Sequence, residues 1–354
     1  MSTFFSETVW LCLAVTAALG GLVLCKFKMS PGQVGKKVFC LAGFCGGACL
    51  LSLSLFWGVI LFSLSCFLVY IYLSGQELLP VDQKAVLITG GDSGIGHALC
   101  KYLDHLGFTV FAGVLNEKGS GAEELRRTCS KRLSVLQMDI TDPQQIKDAY
   151  SEVVKKVQNR GLWAVVNNAG VLGLPADGEL IPMTGYKRCM AVNFFGAVEV
   201  TKAFLPLLRK AKGRLVNISS MAASLSCHLP DIVGSSEMWD KLEKDMLDHL
   251  PPDVLEDYGQ DYILEQRNFV SLAHKFSSPD VCPVLQDVQR AISAKRPFAL
   301  YTAGSGSYLS LCFVSCSPAG IADYVSKKIC QTKSCFEKSM PRALSMPNWK
   351  NKAT

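Results

Sequence analysis

A chain of 354 residues, 19% charged and 49% hydrophobic, is long enough for one large domain with appendages. Its formal net charge of +6 is spread along the chain, with no basic stripe interleaved with aromatics, which argues against a nucleic-acid partner. The 15 cysteines form no C-x-x-C pairs and no metal-binding framework, a pattern suited to a reducing compartment.

Two apolar runs open the chain, over residues 8–25 and 38–73. The second contains no charged residue, and about 18 apolar residues suffice for a bilayer span. No basic region precedes the first run and no small-residue cleavage site follows it, so both runs read as membrane spans rather than a signal peptide. Lys26, Lys28, Lys36 and Lys37 lie between the runs and assign that loop to the cytosol. The second run is too long for one upright helix and about long enough for a tight hairpin. A single crossing would put the following domain in the lumen; a hairpin would return it to the cytosol. The last residues, Lys350-Asn351-Lys352-Ala353-Thr354, resemble a di-lysine retrieval signal of the endoplasmic reticulum, which is read on the cytosolic side and favours the hairpin. An ordinary basic tail has the same composition. The organisation expected is a membrane anchor over 1–80, a nucleotide-binding domain over 81–305, and an apolar-to-basic tail over 306–354.

From Lys84 onward, strands and helices alternate. Ala85–Ile88 is a short apolar run that ends in Thr89-Gly90-Gly91-Asp92-Ser93-Gly94-Ile95-Gly96. Ile95, Ala98, Leu99, Tyr102, Leu103 and Leu106 then fall on one face of a helix that Gly107 stops. Further strands are expected at Phe108–Ala112, Leu133–Met138, Leu162–Val166 and Arg214–Ile218, with a last one at Phe298–Tyr301. Asn217-Ile218-Ser219 matches a glycosylation sequon but falls in a strand expected to be buried. Alternation of this kind implies a Rossmann-type, doubly wound parallel sheet covered on both faces. Glycines in the first turn permit positive φ and let backbone N–H groups approach a pyrophosphate at the positive end of the helix dipole.

The motifs in order resemble the short-chain dehydrogenase/reductase family, and within it the membrane-anchored steroid dehydrogenases. Thr89–Gly96 looks like its T-G-x-x-x-G-x-G turn, and Asn167-Asn168-Ala169-Gly170 like its N-N-A-G. The resemblance implies a cofactor site built from Thr89, Gly90, Ser93, Gly94, Ile95, Gly96, Asn167, Ala169 and Gly170, with Asp139 beside the adenine. It implies Asn193 and Ser220 as catalytic residues, and no metal. It further implies NAD as cofactor, a steroid substrate oxidised at a 17β-hydroxyl, and a homodimer on the endoplasmic reticulum membrane. The second strand runs into Val114-Leu115-Asn116-Glu117-Lys118, which gives a clean signal neither for the acid expected with NAD nor for the basic residues expected with NADP.

One segment departs from the family. A tyrosine should follow Ser220 by about a dozen residues, with a lysine one helical turn later on the same face. Position 233 is Val233, position 237 is Glu237, and no tyrosine lies between Tyr186 and Tyr258. Met221–Ser236 also lacks an apolar run of strand length, so one helix–strand unit of the sheet is missing and dimerisation is in doubt. His228 and Asp231 are the titratable groups of that segment, but a base needs positioned geometry before its pKa matters. The chain's one Tyr-x-x-x-Lys, Tyr324–Lys328, lies far downstream in the apolar-to-basic tail. Trp239–Phe269 is a charged helical stretch that resembles the family's substrate lid, and Val281–Ile292 reads as a further amphipathic helix.

Overall fold

The computed structural model describes residues 77–173, 176, 178–219, 236–259 and 280–302, with residues 60, 63, 64, 67 and 320 singly. The two apolar N-terminal runs, Ser220, the segment around His228 and the C-terminal tail lie outside the described residues, as does 260–269 of the expected lid. Contacts divide the chain into two units, Met1–Pro80 with Gln289–Tyr301 and Val81–Val288 with Thr302–Thr354.

The larger unit is the nucleotide-binding fold. Its elements run β1 (Ala85–Thr89), α1 (Gly94–His105), β2 (Thr109–Val114), α2 (Ser120–Thr128), β3 (Leu133–Gln137), α3 (Pro143–Val157), β4 (Ala164–Asn167), α4 (Met183–Met190), a π-helical turn (Ala191–Gly196), α5 (Ala197–Ala211) and β5 (Arg214–Asn217). Downstream come α6 (Ser236–His249), α7 (Pro252–Tyr258) and α8 (Cys282–Ser293), the last running on into the smaller unit. The five strands are parallel, in the order β3-β2-β1-β4-β5. The order doubles back at β1, which is where a doubly wound sheet opens its ligand crevice.

Burial follows position in the sheet. Every residue of β1 and β4 is buried, as helices on both faces require of central parallel strands. In β5, by contrast, half-buried and exposed residues alternate, because β5 is the last strand among the described residues. Leu215 is 41% exposed and Asn217 is exposed, so the reading of this strand as buried is corrected. Phe298–Tyr301 is likewise not a strand. Its backbone turns on itself: the Phe298 N–H donates to the Tyr301 hydroxyl at 3.0 Å, and the two rings sit 5.7 Å apart. A strand needs a neighbour to satisfy its backbone, and this segment satisfies its own amide locally instead.

The core lies between the sheet and helices α3 and α5. Val153, Phe204, Leu162 and Val165 are fully buried there, and Tyr150 meets Phe204 edge to face at 5.5 Å. Asp142 caps α3 by accepting the Gln144 and Gln145 amides, with Pro143 at the first helical position. We expect Phe204→Ala to cost about 3–5 kcal/mol, read from urea unfolding of the detergent-solubilised chain. A loss below about 1 kcal/mol would mean this layer is not the core.

The helix Met183–Ala211 is long and apolar enough to cross a membrane. Here it is a layer of the domain: it buries Val200, Phe204, Leu207 and Leu208 and packs on α3 and β4. Its opposite side leaves Met190, Phe194, Phe195, Val198 and Leu205 exposed, a stripe for which the described residues provide no cover.

Within the smaller unit, Leu78 pairs antiparallel with Ala294, the Leu79 N–H donates to the Ser293 carbonyl, and Lys295 pairs with Glu77.

Candidate active site

The site is built at the C-terminal ends of β1, β2 and β4. Gly90 adopts φ +70° and Gly94 φ +58°, both in the left-handed region that glycine alone enters cheaply. A Cβ on Gly90 would stand 2.8 Å from the Ala169 Cα, and one on Gly96 would run into the Gly90 carbonyl oxygen and the Asn168 side-chain amide. The turn is therefore packed against the loop after β4 with no room for side chains. Ser93 precedes α1 in extended conformation and makes no side-chain cap, and no acidic residue occupies the first helical turn. Ser93 and Gly94 are exposed, so the free N–H groups of a twelve-residue helix face the crevice. Such a terminus suits an anion such as a pyrophosphate.

Two residues expected at the cofactor are turned inward. The Thr89 hydroxyl oxygen accepts the amides of Asn168 and Ala169 at 3.0 and 2.9 Å, and Thr89 is only 2% exposed. Asn167 donates through its side chain to Thr201 and Asn217, each at 2.9 Å, tying β4 to α5 and β5. Asn168 was not singled out from the sequence, yet its amide donates to the Thr89 and Gly90 carbonyls and clamps the glycine turn. Asp139 lies two residues beyond β3, where its carboxylate accepts from the backbone and hydroxyl of Thr141.

Asn193 sits on the π-helical turn, a feature that recurs at functional sites because it re-aims a side chain. Its carboxamide makes a reciprocal pair with the backbone of Val171: Oδ1 accepts the N–H and Nδ2 donates to the carbonyl, both at 2.8 Å. The loop after β4 is thus held from both sides, by Thr89 and by Asn193. Gly170 lies between them, with its notional Cβ 3.4 Å from the Asn193 Oδ1.

The outer face of α1 carries an ionic cluster. Lys101 pairs with Glu124 of α2 at 2.7 Å, and His97 approaches the same carboxylate at 3.5 Å while its Nδ1 lies 3.2 Å from the Gly91 carbonyl. Hydrogen bonds from Lys101 and then His97 hold the Glu124 carboxyl below the usual carboxylate range. Beneath the turn, burial pushes the Cys100 thiol far up, so it packs as an inert apolar group.

The tyrosines nearest the missing segment are engaged elsewhere. The Tyr186 hydroxyl donates to the Gly178 carbonyl at 3.1 Å, and the Tyr258 hydroxyl to the Glu179 carboxylate at 3.0 Å. Tyr258 belongs to a small cluster in which Met246 and Leu180 bury each other under α6 and α7.

Residues 84–229 match the short chain dehydrogenase family. A human relative, 17-beta-hydroxysteroid dehydrogenase type 2, is 60% identical over 392 aligned residues that span the whole of both chains. This chain belongs to the short-chain dehydrogenase family. The rat estradiol 17-beta-dehydrogenase 2 is 53% identical over 97% of this chain and 99% of its own. A short-chain dehydrogenase from Streptomyces avermitilis shares the fold, with a TM-score of 0.50 and 18% identity over 71% of this chain and 96% of that one. Membership makes the protein an oxidoreductase by lineage, in a family that works with a nicotinamide cofactor.

Proposed function

We propose that this chain is a membrane-anchored member of the 17β-hydroxysteroid dehydrogenase line that keeps its dinucleotide cradle but has lost its proton-transfer pair. The named activities of the human and rat relatives support a steroid alcohol as substrate, and the lineage supports oxidation with NAD. The apolar runs 8–25 and 38–73 support anchoring, and the lysine tail supports the endoplasmic reticulum membrane as the location.

The cradle residues fit the cofactor. Gly90, Ser93, Gly94, Ile95 and Gly96 would offer the open helix terminus to the pyrophosphate, with Ala169 and Gly170 behind it. Asn167 would brace that loop from the core side through Thr201 and Asn217, and Asp139 would lie toward the adenine. When bound, the nicotinamide supplies the hydride acceptor. Ser220 would orient the steroid hydroxyl, and Asn193 would hold the loop beside it through Val171. The family's Tyr-x-x-x-Lys, which takes the hydroxyl proton as the C–H bond breaks, is missing from its expected place in the sequence. In the sequence no tyrosine stands between Tyr186 and Tyr258, and the observation that carries the reading is that both of those phenols are committed to other partners.

Length supports the same conclusion. The human alignment runs to 392 positions against 354 residues here, so at least 38 (392 less 354) face a gap in this chain. The family match also stops at residue 229, inside the segment without the pair. Loss of a general base costs about 10²–10⁴ in rate. Titration of the expressed chain with NADH, followed by an estradiol oxidation assay on the same membranes, tests the proposal. Binding without turnover is expected. Turnover matching that of an intact relative would overturn it.

A further inference from the structure

Asp92 stands out among the groups that the proposed chemistry leaves unused. It lies in the glycine turn, but its carboxylate reaches across to the end of β2. There Oδ1 and Oδ2 accept the Leu115 amide at 3.0 and 2.8 Å, and Oδ1 accepts the Asn116 amide at 3.2 Å. The approach is imposed by the sheet: Thr89 pairs with Gly113, and the Gly91 N–H donates to the Gly113 carbonyl at 2.9 Å. The turn after β1 therefore runs alongside the turn after β2.

The end of the second strand is where a Rossmann-type sheet meets the adenosine ribose, and a carboxylate there distinguishes a free 2′-hydroxyl from a 2′-phosphate. β2 ends at Val114, and Leu115 and Asn116 follow before the first acid, Glu117, whose N–H donates to the Gln137 side chain. We propose that Asp92, supplied from the glycine turn, is the residue that makes this site select NAD over NADP. The inference rests on the reading that the chain retains a nicotinamide dinucleotide site, and it deepens that reading.

Two effects act together. Asp92 places a negative charge at the end of β2, where a 2′-phosphate would come, and like charges a few ångströms apart at a partly hydrated site repel by several kcal/mol before screening. It also occupies the Leu115 and Asn116 N–H groups, which would otherwise be free donors for phosphate oxygens. A carboxylate has about four acceptor positions, so one remains for a ribose hydroxyl. Of the cations that follow β2, Arg126 has its guanidinium held by the Glu117 carbonyl.

Titration of the detergent-solubilised full chain with NADH and with NADPH, read by nicotinamide fluorescence, tests this. Wild-type chain is expected to bind NADH at least about tenfold more tightly, and Asp92→Asn to shrink that ratio by about tenfold or more, chiefly by tightening NADPH. Equal weakening of both ligands, with the ratio unchanged, would show that Asp92 merely shapes the turn and would overturn the proposal. Leu115→Arg provides a second variant that leaves the Asp92 acceptor in place while adding a cation beside it. It should tighten NADPH and leave NADH unchanged, and an unchanged ratio there would also overturn the proposal. Wild-type chain that prefers NADPH would end the specificity assignment while leaving the dinucleotide site standing. Wild-type chain that binds neither ligand would overturn both.

Discussion

Insertion of a family helix–strand segment carrying Tyr-x-x-x-Lys after Ser220 is expected to raise estradiol oxidation about 10²–10⁴-fold over the natural chain. The catalytic part of that gain comes from a phenol placed beside a lysine, whose charge lowers the phenol's pKa and lets it accept the hydroxyl proton. The structure shows why the insertion should also fold. Among the described residues β5 is the last strand of the sheet, with Leu215 41% exposed, so its outer edge is open to a further strand there. Phe194 and Phe195, exposed by 52% and 57%, lie on the side of the Asn193 helix that the described residues leave uncovered, where an apolar helix face would pack. At least 38 missing alignment positions are enough for such a unit, which needs about 30 residues with its crossover. Tyr→Phe within the inserted segment separates the two contributions: the sheet repair stays and the proton acceptor goes. Activity in that control should fall back by about 10² or more. If the repaired chain and its phenylalanine control are equally active, the missing pair is not what limits this protein.

The second large effect is expected at Gly96. An alanine there would drive its Cβ into the Gly90 carbonyl and the Asn168 amide, both of which hold the glycine turn in place. Backbone is on one side of the clash, so the turn must move, and the helix terminus moves with it. We expect NADH affinity to fall by about 100-fold or more, on the order of 3 kcal/mol, in a titration of Gly96→Ala. The helical circular dichroism should be retained, because β1, β2 and β4 are buried and paired independently of the turn. Unchanged NADH affinity would mean that the dinucleotide does not lie over this helix terminus.

Much of this was legible from residues alone, where local pattern and tertiary role coincide. Ala85–Thr89, Gly94–His105, Leu133–Gln137 and Arg214–Asn217 stand close to where apolar runs and helical periodicity put them. β2 extends to Val114 and β4 to Asn167, beyond their expected ends, because pairing with β3 and β5 continues as far as those residues. The two errors share one cause. The exposure of β5 and the irregular backbone of Phe298–Tyr301 depend on which strands have neighbours, a property of the whole sheet that no window of sequence carries. Asp92 escaped for a related reason: its partners lie 23 and 24 residues away, and only the parallel register of β1 and β2 brings them within reach. Asn193 was legible through its motif, but its grip on Val171 was not.

Binding without proton transfer is read most directly in a single-turnover experiment. The full chain, loaded with NAD to a saturation established by titration, is mixed with excess estradiol while reduced-nicotinamide fluorescence is followed. An occupied site is expected, with no rise in reduced nicotinamide above the slow background of a site lacking its base. A rapid rise stoichiometric with the chain would contradict it, and would show that some other group takes the proton.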